Sequence, residues 1–136
     1  MGGPALPSRS RSRPKASTIA IAVRDVRASA KWYEEVLGLR RLHEEVWGDS
    51  PAVVGAGTTA IALFPTTGDD PKPRPDRNTI AMRHLAFRVS KLDLGRAREH
   101  LARRCIAINE QDHQIARSIY FADPDGHEIE LTTYEV

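Results

Sequence analysis

The chain is short of several things, and each shortage excludes something. One cysteine, Cys105, among 136 residues rules out an internal disulfide and fits a reducing compartment, the cytoplasm. Cys105 lies beside an apolar run and reads as a small buried filler rather than a nucleophile. No apolar run approaches the roughly 18 residues of a membrane helix, so no membrane is expected as a partner. The first sixteen residues contain no acid, while Arg9, Arg11, Arg13 and Lys15 stand among them. Setting aside these four of the 20 Lys and Arg leaves 16 against 18 Asp and Glu, a balance of −2 beneath the formal +2. The folded part thus offers no general electrostatic case for nucleic acid. Residues 1–16 read as a disordered basic leader. Its Arg and Ser resemble a transit peptide, but it has no apolar face and its prolines oppose a helix.

What is present has the size of one domain, or of two tightly joined half-domains, with an ordinary apolar fraction of 40%. Ile19, Ile21 and Val23 alternate with small residues, which predicts a strand. Asp25 can cap a helix along which Val26, Ala30, Tyr33 and Leu37 recur, and Gly38 ends it. Strand-like pieces follow at about 40–46, 51–54 and 59–64. Residues 65–79, with four prolines and several charges, form a linker that cannot join a sheet. The pattern then starts again. Leu85, Phe87 and Val89 alternate; Asp93 can cap a helix with Leu94, Ala97 and Leu101 on one stripe; a strand at 105–108 and two more flanking residues 123–126 within 117–134 close the chain.

The order β-α-β-β-β thus occurs twice, in a module over 17–64 and another over 80–136, within one domain spanning 17–136. The expected class is α+β: two paired modules whose mixed sheet curls into a cup, with the helices outside. Between the last two strands stands Asp123-Pro124-Asp125-Gly126, a type I turn with Gly126 left-handed. That register sets Tyr120 opposite Glu130 and Ala122 opposite Glu128. Ser118, Tyr120, Glu128, Glu130 and Thr132 share one face; Ile119, Phe121, Ile129 and Leu131 face a core. Aligning the modules places Thr18 with His84 and Ala62 with Glu130. Alone, a His or a Glu on a strand is ordinary. At equivalent ends of one repeat unit, on the concave side, His84 and Glu130 become half of a metal site suited to Fe(II), Mn(II), Ni(II) or Zn(II).

Paired β-α-β-β-β units, a His opening the second and Asp-Pro-Asp-Gly-x-x-x-Glu closing it resemble the vicinal oxygen chelate superfamily. That superfamily includes glyoxalase I, extradiol (catechol-type) dioxygenases, fosfomycin-resistance enzymes and bleomycin-binding proteins. The resemblance covers about residues 17–134. His113, Tyr120, Asp123-Pro124, Gly126 and Glu130 together resemble the extradiol signature. It implies that Glu130 is the carboxylate ligand, that Tyr120 contacts the substrate and that His113 stands behind the ligands. Extradiol-like members hold the metal with two His and one carboxylate; here the first His position is Thr18. Glyoxalase-like members add a carboxylate where Ala62 stands, which argues against glyoxalase I chemistry. Two readings follow. One is a dioxygenase-like or lyase-like enzyme with a partial divalent-metal site, Fe(II) or Mn(II) before Zn(II) or Ni(II), acting on a small oxygen-rich or aromatic substrate. The other is a metal-free small-molecule or drug-binding protein of the bleomycin-resistance kind, its pocket lined by Thr18, Trp47, Ala62 and Tyr120. Both imply a small-molecule ligand and a homodimer.

Overall fold

A computed structural model describes Gly3 and residues 13–136. The expected leader, 1–16, lies outside the described residues except for Gly3 and 13–16, which are exposed and join no element. The first sheet has the order β1-β4-β3-β2, built from β1 (Thr18–Val23), β2 (Arg40–Leu42), β3 (Ala52–Ala56) and β4 (Thr59–Pro65). The second has the order β5-β8-β7-β6, built from β5 (Leu85–Arg88), β6 (Asn109–Asp112), β7 (Arg117–Ala122) and β8 (Glu128–Thr133). In each, the first strand runs parallel to the last and the other pairs are antiparallel. The parallel pairing needs a crossover, supplied by α1 (Val26–Leu37) in one module and α3 (Lys91–Arg103) in the other. The architecture is the expected α+β one: two mixed four-stranded sheets with helices outside.

The repeat extends to register. Ala20 stands opposite Ala62, and Ala86 stands opposite Glu130 in the same place. The hairpin pairs Tyr120 with Glu130 and Ala122 with Glu128, and Gly126 has φ 86°. Asp25 caps α1, its side chain accepting from the Ala28 amide at 3.0 Å. Gly38, at φ 69°, ends that helix with its amide on the Glu34 carbonyl.

Four local expectations are corrected. The strand expected over 40–46 stops at Leu42, because His43 turns left-handed (φ 57°) and its carbonyl accepts from Val46 and Trp47. That closes a short helix α2 (Glu44–Trp47). The cap of α3 is Ser90, whose Oγ accepts from the Asp93 amide at 3.1 Å; Asp93 sits in the first turn, where a carboxylate favours the helix dipole. The strand expected at 105–108 forms later, at Asn109–Asp112, because Cys105 and Ile106 bond back to Ala102 and Leu101 and finish the helix. Cys105 itself is exposed, left-handed at φ 57°, and not a buried filler.

A single core crosses the module boundary. Tyr33, Val36, Leu63 and Val54 join Ile119, Phe121, Ile129 and Leu131 in one cluster. Trp32 lies 6.2 Å from the Phe121 ring. The Asp-Pro-Asp-Gly turn of the second module plugs into the first. Tyr33 donates its hydroxyl to Asp123 at 2.7 Å, Arg24 pairs with Asp125 at 3.2 Å, and His127 Nε2 is 2.8 Å from the Ala22 carbonyl. Among the described residues no helix is long and apolar enough to cross a membrane.

Candidate functional site

The second module carries its polar residues on the sheet face opposite the core. His84 precedes β5, Glu130 is mid-β8, Tyr120 is mid-β7 and His113 lies in the turn between β6 and β7. Parity sends these side chains to one face, and they meet there. His84 Nε2 is 2.9 Å from Glu130 Oε1. His113 Nε2 and the Tyr120 hydroxyl share a hydrogen bond of 3.0 Å. The Tyr120 ring stands edge-on to both imidazoles, its centroid 5.5 Å from His84 and 6.3 Å from His113. Burial first, and then the charge of Glu130, hold the Tyr120 phenol above its ordinary range, so it is a hydrogen-bond donor at neutral pH.

Glu130 is 7% exposed, far from a solvated strand carboxylate. Its second oxygen, Oε2, accepts from Ser118 Oγ at 2.6 Å. Thr132 Oγ1 is 2.9 Å from the same Ser118 oxygen. Ser118 has one hydrogen and gives it to the carboxylate, so Thr132 is the donor to Ser118. Glu128 completes the surroundings: its Oε1 is 3.5 Å from His84 Nδ1 and its Oε2 is 3.6 Å from Arg77. Ser118 and Glu128 were on the right face by parity. Nothing in the sequence, however, assigned them as the groups that orient the two candidate ligands.

The first module has a separate hollow of about 580 Å³. Thr18, Trp47 and Ala62 line it together with His43, Val53 and Phe64, and no residue of the second module takes part. Trp47 is half-exposed and its ring is 5.1 Å from His43. The structure therefore gathers Thr18, Trp47 and Ala62 in one hollow and His84, Glu130, Tyr120 and His113 in the other. His43 stands with Trp47, away from His84.

As a metal centre the second hollow is a half-site. Imidazole nitrogen and carboxylate oxygen 2.9 Å apart match neighbouring corners of a coordination sphere with bonds of about 2.1 Å. No group of three or more His, Cys, Asp and Glu side chains among the described residues is placed to hold an ion. The donor set fits a divalent ion in two positions only.

Two β-α-β-β-β modules back to back, each presenting a hollow, with a His–carboxylate pair at the end of the second, define a paired-module protein of the vicinal oxygen chelate kind. The chain belongs to the Glyoxalase/Bleomycin resistance protein/Dioxygenase superfamily, whose pattern it matches over residues 15–131. It is similar to metallothiol transferase FosB of Lysinibacillus sphaericus, 30% identical over 118 residues, covering 85% of this chain and 79% of the relative. It is also similar to catechol-2,3-dioxygenase of Bacillus subtilis, 27% identical over 112 residues, where it covers 82% of this chain but spans only 38% of the relative's length. Among solved structures, a glyoxalase/dioxygenase from Nostoc punctiforme superposes with a TM-score of 0.77 at 27% identity, covering 98% of this chain and 97% of that one.

Proposed function

We propose that the second hollow carries the chemistry: His84 and Glu130 hold a divalent metal, Fe(II) or Mn(II), while Tyr120 and His113 act on a small oxygen-rich or aromatic substrate. The observation that carries this reading is the 2.9 Å approach of His84 Nε2 to Glu130 Oε1. A bound divalent ion supplies Lewis acidity toward substrate oxygens. The chain's own residues do the rest. Ser118 fixes the Glu130 carboxylate from behind. Tyr120 offers its hydroxyl hydrogen to a substrate oxygen, and His113, bonded to that hydroxyl, receives or returns a proton at the Tyr120 oxygen. Similarity to a catechol-2,3-dioxygenase supports an aromatic diol as substrate class, and similarity to a metallothiol transferase supports a group-transfer alternative. The single exposed Cys105 suits a cytoplasmic setting.

The test is calorimetric titration of Mn(II) into wild type, His84→Ala and Glu130→Ala. Each variant is expected to bind at least about tenfold more weakly, since half of the protein donors are gone. Equal affinity in all three removes the metal reading.

One observation favours the second reading, a metal-free binding protein: Thr18 and Ala62 stand where the other module has its two donors, and the hollow they line is apolar with Trp47 at its side. A planar aromatic ligand whose affinity ignores chelator and falls in Trp47→Ala supports it. We also propose a homodimer, in which the first hollow of one copy faces the second hollow of the other. Thr18→His then tightens Mn(II) binding by about tenfold or more, and a monomeric mass by light scattering rules the arrangement out.

A further inference from the structure

A third cavity adjoins the second hollow, whose His84 and Glu128 also line it. It measures about 660 Å³ and lies between the free outer edges of β1 and β5, which pair with no other strand. Ile19, Ile21, Leu85, Ile129 and Met82 give it apolar walls. Its roof is the linker between the modules, with Pro71, Pro73 and Pro75 over the opening. Prolines have no N–H, so these three positions cannot donate to the strand edges. The roof is tied down all the same. Arg74 donates to the Arg83 carbonyl at 2.6 Å and reaches the Gly126 carbonyl at 3.5 Å.

The charges around this cavity are uneven. Its two acids are already matched: Asp125 by Arg24 at 3.2 Å and Ser29 at 3.4 Å, Glu128 by Arg77 and His84. Lys72 and Arg83 also line it, and neither side chain has an ion-pair or hydrogen-bond partner among the described residues. The volume is that of a small-molecule site, apolar in its walls and with a few polar groups to orient the guest. Two exposed cations at the mouth of an apolar chamber offer a counter-charge to an anion with a hydrocarbon body.

We propose that the strapped cavity between β1 and β5 binds an apolar carboxylate, its hydrocarbon part against Ile19, Ile21 and Leu85 and its acid group at Arg83 and Lys72. His84 and Glu128 border both sites, but the acid group is held here by Arg83 and Lys72 and needs no metal. The experiment is calorimetric titration of the full chain with decanoate and with decan-1-ol as its neutral counterpart. Decanoate is expected to bind roughly tenfold or more tightly than the alcohol. In the double variant Lys72→Glu, Arg83→Glu, both surface positions, that preference disappears while alcohol binding stays. Ile21→Trp, which fills the chamber, weakens both ligands; its circular dichroism and melting curve show whether it is folded, and Ala22→Leu is the alternative filler.

Equal decanoate affinity in wild type and the charge-reversed variant overturns the proposal. So does a loss of binding in Trp47→Ala or His113→Ala, which places the ligand in one of the hollows. Decanoate affinity that falls as protein concentration and mass rise together also overturns it, because a second copy then covers the cavity.

Discussion

Asp123 is 5% exposed and accepts three hydrogen bonds: from the amides of Asp125 and His127 at 2.9 and 2.8 Å and from the Tyr33 hydroxyl at 2.7 Å. Removing the third leaves a buried carboxylate oxygen without its donor. Tyr33→Phe is expected to cost about 1–3 kcal/mol in urea unfolding at neutral pH. Burial, then the charge of Asp123, push the Tyr33 phenol far above its ordinary range. Its contribution is therefore complete below the unfolded value near 10 and is lost as pH rises beyond it, at up to about 1.4 kcal/mol per pH unit. Between pH 9.5 and 11 wild type should lose stability more steeply than Tyr33→Phe by that one proton. Parallel slopes would mean the folded phenol ionises normally. At the site itself, Ser118→Ala leaves Glu130 Oε2 without its 2.6 Å donor and frees the carboxylate to swing. Mn(II) affinity should drop about three- to tenfold with the fold intact, in keeping with the loss of a group that orients a ligand.

Elements were legible where an apolar pattern and a turn residue agreed. Ile19, Ile21 and Val23, or Ile119 and Phe121 across the turn from Ile129 and Leu131, have period two and a buried face, and they became strands as read. β6 was misplaced because Asn109–Asp112 is polar throughout and exposed; only its pairing with β7 makes it a strand. The early end of β2 was hidden for another reason. Arg41 binds Glu44 at 3.2 Å and Asp49 at 3.1 Å, and these contacts belong to the folded bend rather than to a local propensity. One glycine marks how closely β3 and β4 approach. A Cβ at Gly55 would run into the Thr59 carbonyl and lie 2.9 Å from Leu42 Cδ1. Gly55→Ala is expected to destabilise by about 1–3 kcal/mol in thermal or urea unfolding, because the obstacle is mainly backbone. At the start of α3, Ser90→Ala should cost about 1 kcal/mol, whereas Asp93→Ala should cost less. The reverse order would return the cap to Asp93.

On the scale of the whole molecule, the sequence carried the repeat and therefore the meeting of His84 with Glu130, since parity and register are local properties repeated twice. It did not carry the placement of one module against the other. Thr18 and Tyr120 were expected to line one pocket; within the chain they line different faces, because the modules share a core through Trp32, Tyr33 and Phe121. That arrangement depends on contacts between residues some ninety positions apart, Tyr33 with Asp123 among them.

The Asp-Pro-Asp-Gly turn has a consequence for how such chains are recognised. Asp123, Asp125 and His127 spend their side chains on the first module, not on the His84–Glu130 pair. The stretch that makes the chain easiest to recognise is a joint between two halves. A joint is indifferent to what is bound elsewhere, so proteins with unlike reactions, or none, can carry the same one. Redesign of the pocket should leave these three residues alone, and a transplant of either half into a relative should carry its side of the joint with it.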